Sequence, residues 1–183
     1  TVPNSFFTIN LVYLSKYFGL EEVADFWESV VNLNNWHQHR ISKLIVKKLF
    51  GTVTGKKMCI LGFSFKANTN DTRESPSISI TKNLLKEGAI LNLYDPKVNK
   101  NQIFEYFEDS ELKNLFVYES ALSVAKEADA IIVLTEWDEF KTLDWENIYK
   151  GMRKPAWIFD ARVFLDIEKL KNIGFNIWKL GNS

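Results

Sequence analysis

One cysteine in 183 residues makes an intramolecular disulfide impossible, and Cys59 on its own fits a reducing, cytoplasmic compartment. Two histidines, His37 and His39, beside that single cysteine leave no recognisable metal-ligand cluster, so no metal is expected. Charge of one sign is also missing: 23 basic residues balance 23 acidic ones. A nucleic-acid partner would favour a positive surplus, so none is expected. No apolar run reaches the roughly 20 residues of a membrane-spanning helix. The start, "TVPNSFFTIN", lacks the basic segment of a secretory signal. Neither membrane association nor export is expected. Repeats and low-complexity tracts are absent as well.

What is present is an ordinary globular composition, 46% hydrophobic and 25% charged. Residues 1–50 read as helices. Leu20, Val23, Trp27, Val30 and Val31 recur at three-to-four spacing, and Ile41, Leu44, Ile45 and Leu49 resume the pattern. Gly19 punctuates an earlier helical piece. Two arrangements fit such a segment: an arm that pairs subunits, or a helix packed on its own domain.

From residue 51 the period changes. "MCILGF" is a continuous apolar run of strand length, as expected for a strand buried on both faces. Ser75-Pro76 is a plausible N-cap and first helical residue, and the helix that follows ends at Gly88. "AILNLYDP", "DAIIVLTEWDEF", "PAWIFDARVF" and "FNIWKLG" supply further strands, with helices at "SALSVAKEA" and "DIEKLKNIG" between them. Strands alternating with helices predict an α/β fold, a Rossmann-like parallel sheet with helices on both faces, preceded by the helical segment. Residues 97–119 are polar and irregular, and a surface excursion is expected there.

Ligands of open α/β sheets sit outside the carboxyl ends of the strands. Three stretches fall there: residues 65–73, 135–138 and 160–162. The first holds "FKANTNDTR" and lacks the glycines with which G-x-G-x-x-G lets a backbone wrap a pyrophosphate. It offers side-chain cations instead, Lys66 and Arg73, and Arg162 would project into the same crevice. A lysine point charge and arginine forks suit phosphate oxygens, which points to an anionic ligand such as a diphosphate. The alternative is a solvated loop in which Lys66 and Arg73 pair with Asp71 and Glu74. Asp95, at the end of the second strand, occupies the place of a ribose-binding acid. Without the glycines, a turn role before Pro96 is favoured. Cys59 lies inside the apolar run and reads as an inert core thiol.

The runs "NLVYL", "FGLEEVADFW", "LFGTVTGKKMCILGFSFKANTNDTRESPSI", "LYDPKV", "ADAIIVLTEWDEF" and "KPAWIFDARVFLD" together resemble the C-terminal half of the UDP-glucose/GDP-mannose dehydrogenase family, from about Ile9 onward. "FKANTNDTRESPS" and "TEWDEF" look most like its UDP-glucose branch. The resemblance implies that residues 1–50 hold part of a central dimerisation helix, that 51–183 form the C-terminal UDP-sugar-binding domain, and that an NAD-binding domain is missing from the chain. It implies that Phe65, Lys66 and Arg162 contact the UDP-sugar, while Arg73 reaches NAD held on the other domain. Family enzymes oxidise UDP-glucose to UDP-glucuronate through a cysteine-bound intermediate, with NAD as acceptor, and they form homo-oligomers, dimers or hexamers. By the same alignment the family's catalytic cysteine falls at about Pro3, and its Lys-Asp pair on Phe6 and Phe7. No catalytic residue is therefore expected in this chain, which is predicted inactive alone. A stand-alone nucleotide-sugar-binding module, or the same part of a relative with another sugar, remain the alternatives.

Overall fold

A computed structural model describes residues 5–181. The position aligned with the family cysteine, Pro3, lies outside them. Two helices open the chain, α1 (Ser5–Tyr17) and α2 (Glu21–Lys48), joined by a turn in which Gly19 takes φ +68°. The sheet follows: β1 (Lys57–Leu61), β2 (Ile90–Tyr94), β3 (Leu115–Val117), β4 (Ala130–Val133), β5 (Trp157–Asp160) and β6 (Asn176–Lys179). Its order is β3-β2-β1-β4-β5-β6 with every pairing parallel. That is the doubly wound order, whose direction reverses between β1 and β4. The connecting helices are α3 (Pro76–Lys86), α4 (Lys100–Phe104), α5 (Asp109–Leu112), α6 (Ala121–Val124), α7 (Trp145–Gly151) and α8 (Ile167–Ile173).

Along β1 the side chains alternate between two cores. Met58 and Ile60 point into one that includes α2 and α3, Cys59 and Leu61 into another built with α6, α7 and α8. Both faces are covered, which is why the strand reads as an unbroken apolar run. The predicted punctuation holds. The Ser75 side chain accepts a hydrogen bond from the Ser77 N–H with Pro76 at the first helical position, and Gly88 and Gly174 end their helices with positive φ.

Residues 97–119 differ from the expected irregular excursion. They form α4, α5 and the edge strand β3. The strand is only three residues long and leaves Phe116 exposed, so it carries no apolar run to betray it. Ile103 and Phe107 from this segment are buried in the α3-side core.

The two arrangements considered for the helical segment divide along α2. Its C-terminal part buries Ile41, Ile45 and Leu49 in the α3-side core, worth roughly 2 kcal/mol per side chain. Its N-terminal part packs against α1, where Thr8, Ser15 and Ala24 are buried. Outside that seam, Tyr13, Tyr17, Phe18, Phe26, Leu33 and Trp36 are all more than half exposed. An apolar surface of this extent on a helical pair is more than a solvated arm requires.

Candidate site at the β1/β4 crossover

Two buried aspartates build the carboxyl edge of the sheet. Asp95, directly after β2, accepts from the N–H groups of Phe63 (2.7 Å) and Ser64 (3.0 Å) and from the Trp137 indole (3.2 Å) with one oxygen. Its other oxygen accepts from the N–H groups of Lys97 (2.9 Å) and Val98 (3.0 Å). It thus ties the ends of β1, β2 and β4 together, which is the turn role the sequence favoured over ribose binding. Asp160, the last residue of β5, accepts from the N–H groups of Arg162 (3.0 Å), Val163 (2.8 Å), Phe164 (2.9 Å) and Leu165 (3.0 Å). Both carboxylates are buried and fully engaged, the condition under which a buried acid is tolerated. The loop Asp160 shapes holds Val163 at φ +57°, an outlier for a β-branched residue.

The first loop is anchored from several sides. Its start is fixed by the Phe65 N–H donating to the Asp71 carbonyl (2.8 Å), its end by the Thr72 hydroxyl against the Tyr106 hydroxyl (2.8 Å). The Thr135 hydroxyl donates to the Ser64 carbonyl (2.7 Å), stitching the β4 loop to the β1 loop. Behind them, a Cβ on Gly62 would stand 2.4 Å from the Thr135 Cβ, and Gly62 has φ +93°. The single glycine of this turn therefore serves the packing of two strands. No glycine stands between Gly62 and Gly88, so the loop does not carry the glycine pattern of an NAD cradle.

Side chains occupy the crevice instead. Arg162 crosses from the β5 loop: its Nε donates to the Glu136 carboxylate (2.5 Å) and its Nη2 to the Phe65 carbonyl (3.4 Å). Lys66, the next residue, is exposed. Phe65, Lys66 and Arg162 are thus brought to one edge. Arg73 lies at the far end of the loop, 80% exposed, and grips Asp71 through Nε (3.0 Å) and Nη2 (2.9 Å). Those hydrogen bonds hold the Asp71 carboxyl down at about 2. Burial, with the Glu139 carboxylate beside it, pushes the Tyr94 phenol up to about 12, so it stays protonated at neutral pH.

Cys59 is fully buried, and burial raises its thiol well above its usual value. It is the inert core thiol expected. Among the described residues, no group of three or more His, Cys, Asp or Glu could hold a metal ion, and no helix is long and apolar enough to cross a membrane. Glu136 is the site residue that sequence reasoning missed. It stands in the right stretch, but its partner lies 26 positions away and only the fold joins them.

The strand order defines a Rossmann-type α/β domain, with the side chains of Phe65, Lys66, Glu136 and Arg162 gathered at the carboxyl edge of its crossover. The chain belongs to the UDP-glucose/GDP-mannose dehydrogenase family, whose UDP binding domain matches residues 59–167. It is 44% identical over 180 residues to UDP-glucose 6-dehydrogenase of Caenorhabditis elegans, an alignment covering 96% of this chain and 37% of that protein. The Drosophila melanogaster UDP-glucose 6-dehydrogenase is 40% identical over 181 residues, covering 94% of this chain and 38% of the relative. The chain thus spans less than two fifths of the length of these relatives. Among solved structures, the fold is shared with an NDP-N-acetyl-D-galactosaminuronic acid dehydrogenase from Methanosarcina mazei Go1, at TM-score 0.69 and 22% identity over 88% of this chain and 32% of that one. It is also shared with a UDP-glucose dehydrogenase from Pyrobaculum islandicum, at TM-score 0.65 and 19% identity over 92% of this chain and 36% of that one.

Proposed function

We propose that this chain forms the UDP-sugar side of a UDP-glucose 6-dehydrogenase, which oxidises UDP-glucose to UDP-glucuronate with NAD as hydride acceptor in the cytoplasm. The observation that carries the reading is the convergence of Arg162, Phe65 and Lys66 on one strand edge, in a domain of the family's UDP-binding type. In this reading Lys66 and Arg162 meet the diphosphate and Phe65 borders the sugar nucleotide. Arg73, exposed at the loop's far end, is the residue we assign to a cofactor contact. Of residues 1–50, the part before Ile41 acts as an arm, while Ile41 to Leu49 pack into the UDP-sugar domain formed by 51–183, and NAD is held elsewhere in the assembly. The redox step needs an accessible thiol, and Cys59 does not supply one. The exposed aromatic surface of α1 and α2 supports a homo-oligomer paired through the arm.

Titration of UDP and UDP-glucose into the purified chain, with GDP as control, tests the reading through tryptophan fluorescence or heat. Saturable UDP binding is expected, weakened roughly 10- to 100-fold by Lys66→Ala or Arg162→Ala, the scale of one lost charge-assisted hydrogen bond. Absence of binding at millimolar UDP, or binding indifferent to both substitutions, overturns it.

A further inference from the structure

We propose that Glu136 is a positioning residue: it fixes which edge of the Arg162 guanidinium faces the diphosphate. The proposal rests on the UDP-sugar reading above and adds to it a carboxylate inside a site for an anion. Such a group would repel the ligand unless its charge were already committed, and here it is. The neighbours of Glu136 leave it no freedom of backbone. Thr135 is buried and bonded to the Ser64 carbonyl, and Trp137 is buried and bonded to Asp95. Between these two anchors the side chain extends across the strand ends to Arg162 Nε at 2.5 Å, with 39% of Glu136 and 28% of Arg162 exposed.

A guanidinium has two forks, one formed by Nε and Nη2 and one by its two terminal nitrogens. Glu136 takes Nε, which belongs to the first fork alone, so that fork cannot hold a ligand in bidentate fashion, and the Phe65 carbonyl stands 3.4 Å from Nη2. The terminal fork is left for a ligand, and bidentate capture of a phosphate requires such a free pair of parallel N–H donors. By occupying the Nε side, Glu136 also keeps any ligand oxygen from entering there. It therefore selects one pose of the diphosphate against another on the same cation. Without it both edges are open, and the site becomes a less selective anion trap.

The test uses the full chain as wild type, Glu136→Gln and Glu136→Ala, with Arg162→Ala as reference and thermal melts to establish that each variant is folded. Arginine Nε–H resonances are recorded by NMR, with that of Arg162 identified by its loss in Arg162→Ala. UDP and inorganic pyrophosphate are titrated in parallel. In the wild type the Arg162 Nε–H is protected from exchange. Glu136→Gln, which keeps an acceptor oxygen, retains that protection and binds UDP within about threefold of wild type. Glu136→Ala loses the protection, and its preference for UDP over pyrophosphate falls at least tenfold. A folded Glu136→Ala protein with unchanged Nε–H protection, or with unchanged UDP preference, overturns the proposal while leaving the UDP reading intact. A wild-type chain that does not bind UDP overturns both.

Discussion

Gly62 and Thr135 meet across the β1/β4 seam so closely that no Cβ fits between them: one built on Gly62 would lie 2.4 Å from the Thr135 Cβ and 2.8 Å from the Thr135 nitrogen. The seam is the topological switch point of the sheet, so this contact sets how the β1 and β4 loops face each other.

Gly62→Ala is therefore expected to be among the most damaging small substitutions in the domain. It combines a side chain at φ +93° with an overlap against backbone, and a loss of about 3 kcal/mol or more is expected. Chemical denaturation measures it. Thr135→Ala in the same chain should recover only part of the loss, because the Thr135 nitrogen stays in place.

Asp95→Asn replaces a carboxylate that accepts five hydrogen bonds with an amide whose nitrogen must face backbone donors. About 2–3 kcal/mol of stability should be lost. The Trp137 indole loses or weakens its acceptor, so a change in tryptophan emission should accompany the loss. Unchanged stability would mean that the three strand ends are held together by something other than Asp95.

Val163→Asn should stabilise the protein. Asparagine tolerates a left-handed backbone, whereas valine at φ +57° stores strain, and a gain of about 1 kcal/mol is expected. For a chain of this size that is a rise in Tm of about 2–4 °C. Since the four N–H groups held by Asp160 do not depend on the side chain at 163, UDP affinity should not change.

Asp71 predicts a small, signed pH effect. Its folded value, about 2, lies below the ordinary carboxylate range because Arg73 donates to it. The stability this contributes is present above an unfolded value of about 4 and fades as pH falls from there through about 2. The pair is exposed, so the effect is small. Asp71→Asn should lower the plateau of a Tm-versus-pH curve slightly near neutrality and flatten its acid limb, so that variant and wild type converge as pH falls toward about 2.

The arm gives the remaining prediction. Leu33→Glu combined with Phe26→Glu places charge on two exposed apolar positions outside the α2 segment that packs on the domain. Sedimentation should report a smaller oligomer than wild type at the same concentration, with the melting of the α/β domain little changed. A wild-type chain that sediments as a monomer at all concentrations removes the case for pairing.

Much of this architecture is legible in the sequence because its causes are local. A strand buried on both faces must be continuously apolar, as "MCILGF" is, and helices that start at Ser75-Pro76 or stop at Gly88 and Gly174 advertise the backbone they need. β3 was not legible, because an edge strand of three residues with one side exposed needs no pattern. The site was legible in part for the same reason. Residues 65–73 and 160–162 follow apolar runs, so their place at the strand ends could be inferred. The pairing of Arg162 with Glu136 depends on side-chain directions that spacing does not encode, whereas the pairing of Arg73 with Asp71, two residues apart, is the solvated-loop alternative that the sequence already offered.

Helix α2 runs without a break for 28 residues, about 42 Å, from the exposed arm into the core. One end is fixed among Ile80 and Leu84 of α3, and α3 in turn touches the switch point through the Ser77 hydroxyl on the Gly62 carbonyl at 3.2 Å. It is a lever with a short load arm and a long effort arm. A tilt of 5° at the α3 contact would move the far end by about 4 Å. A distance label at the tip of the arm would read small rotations of the sheet edge, amplified.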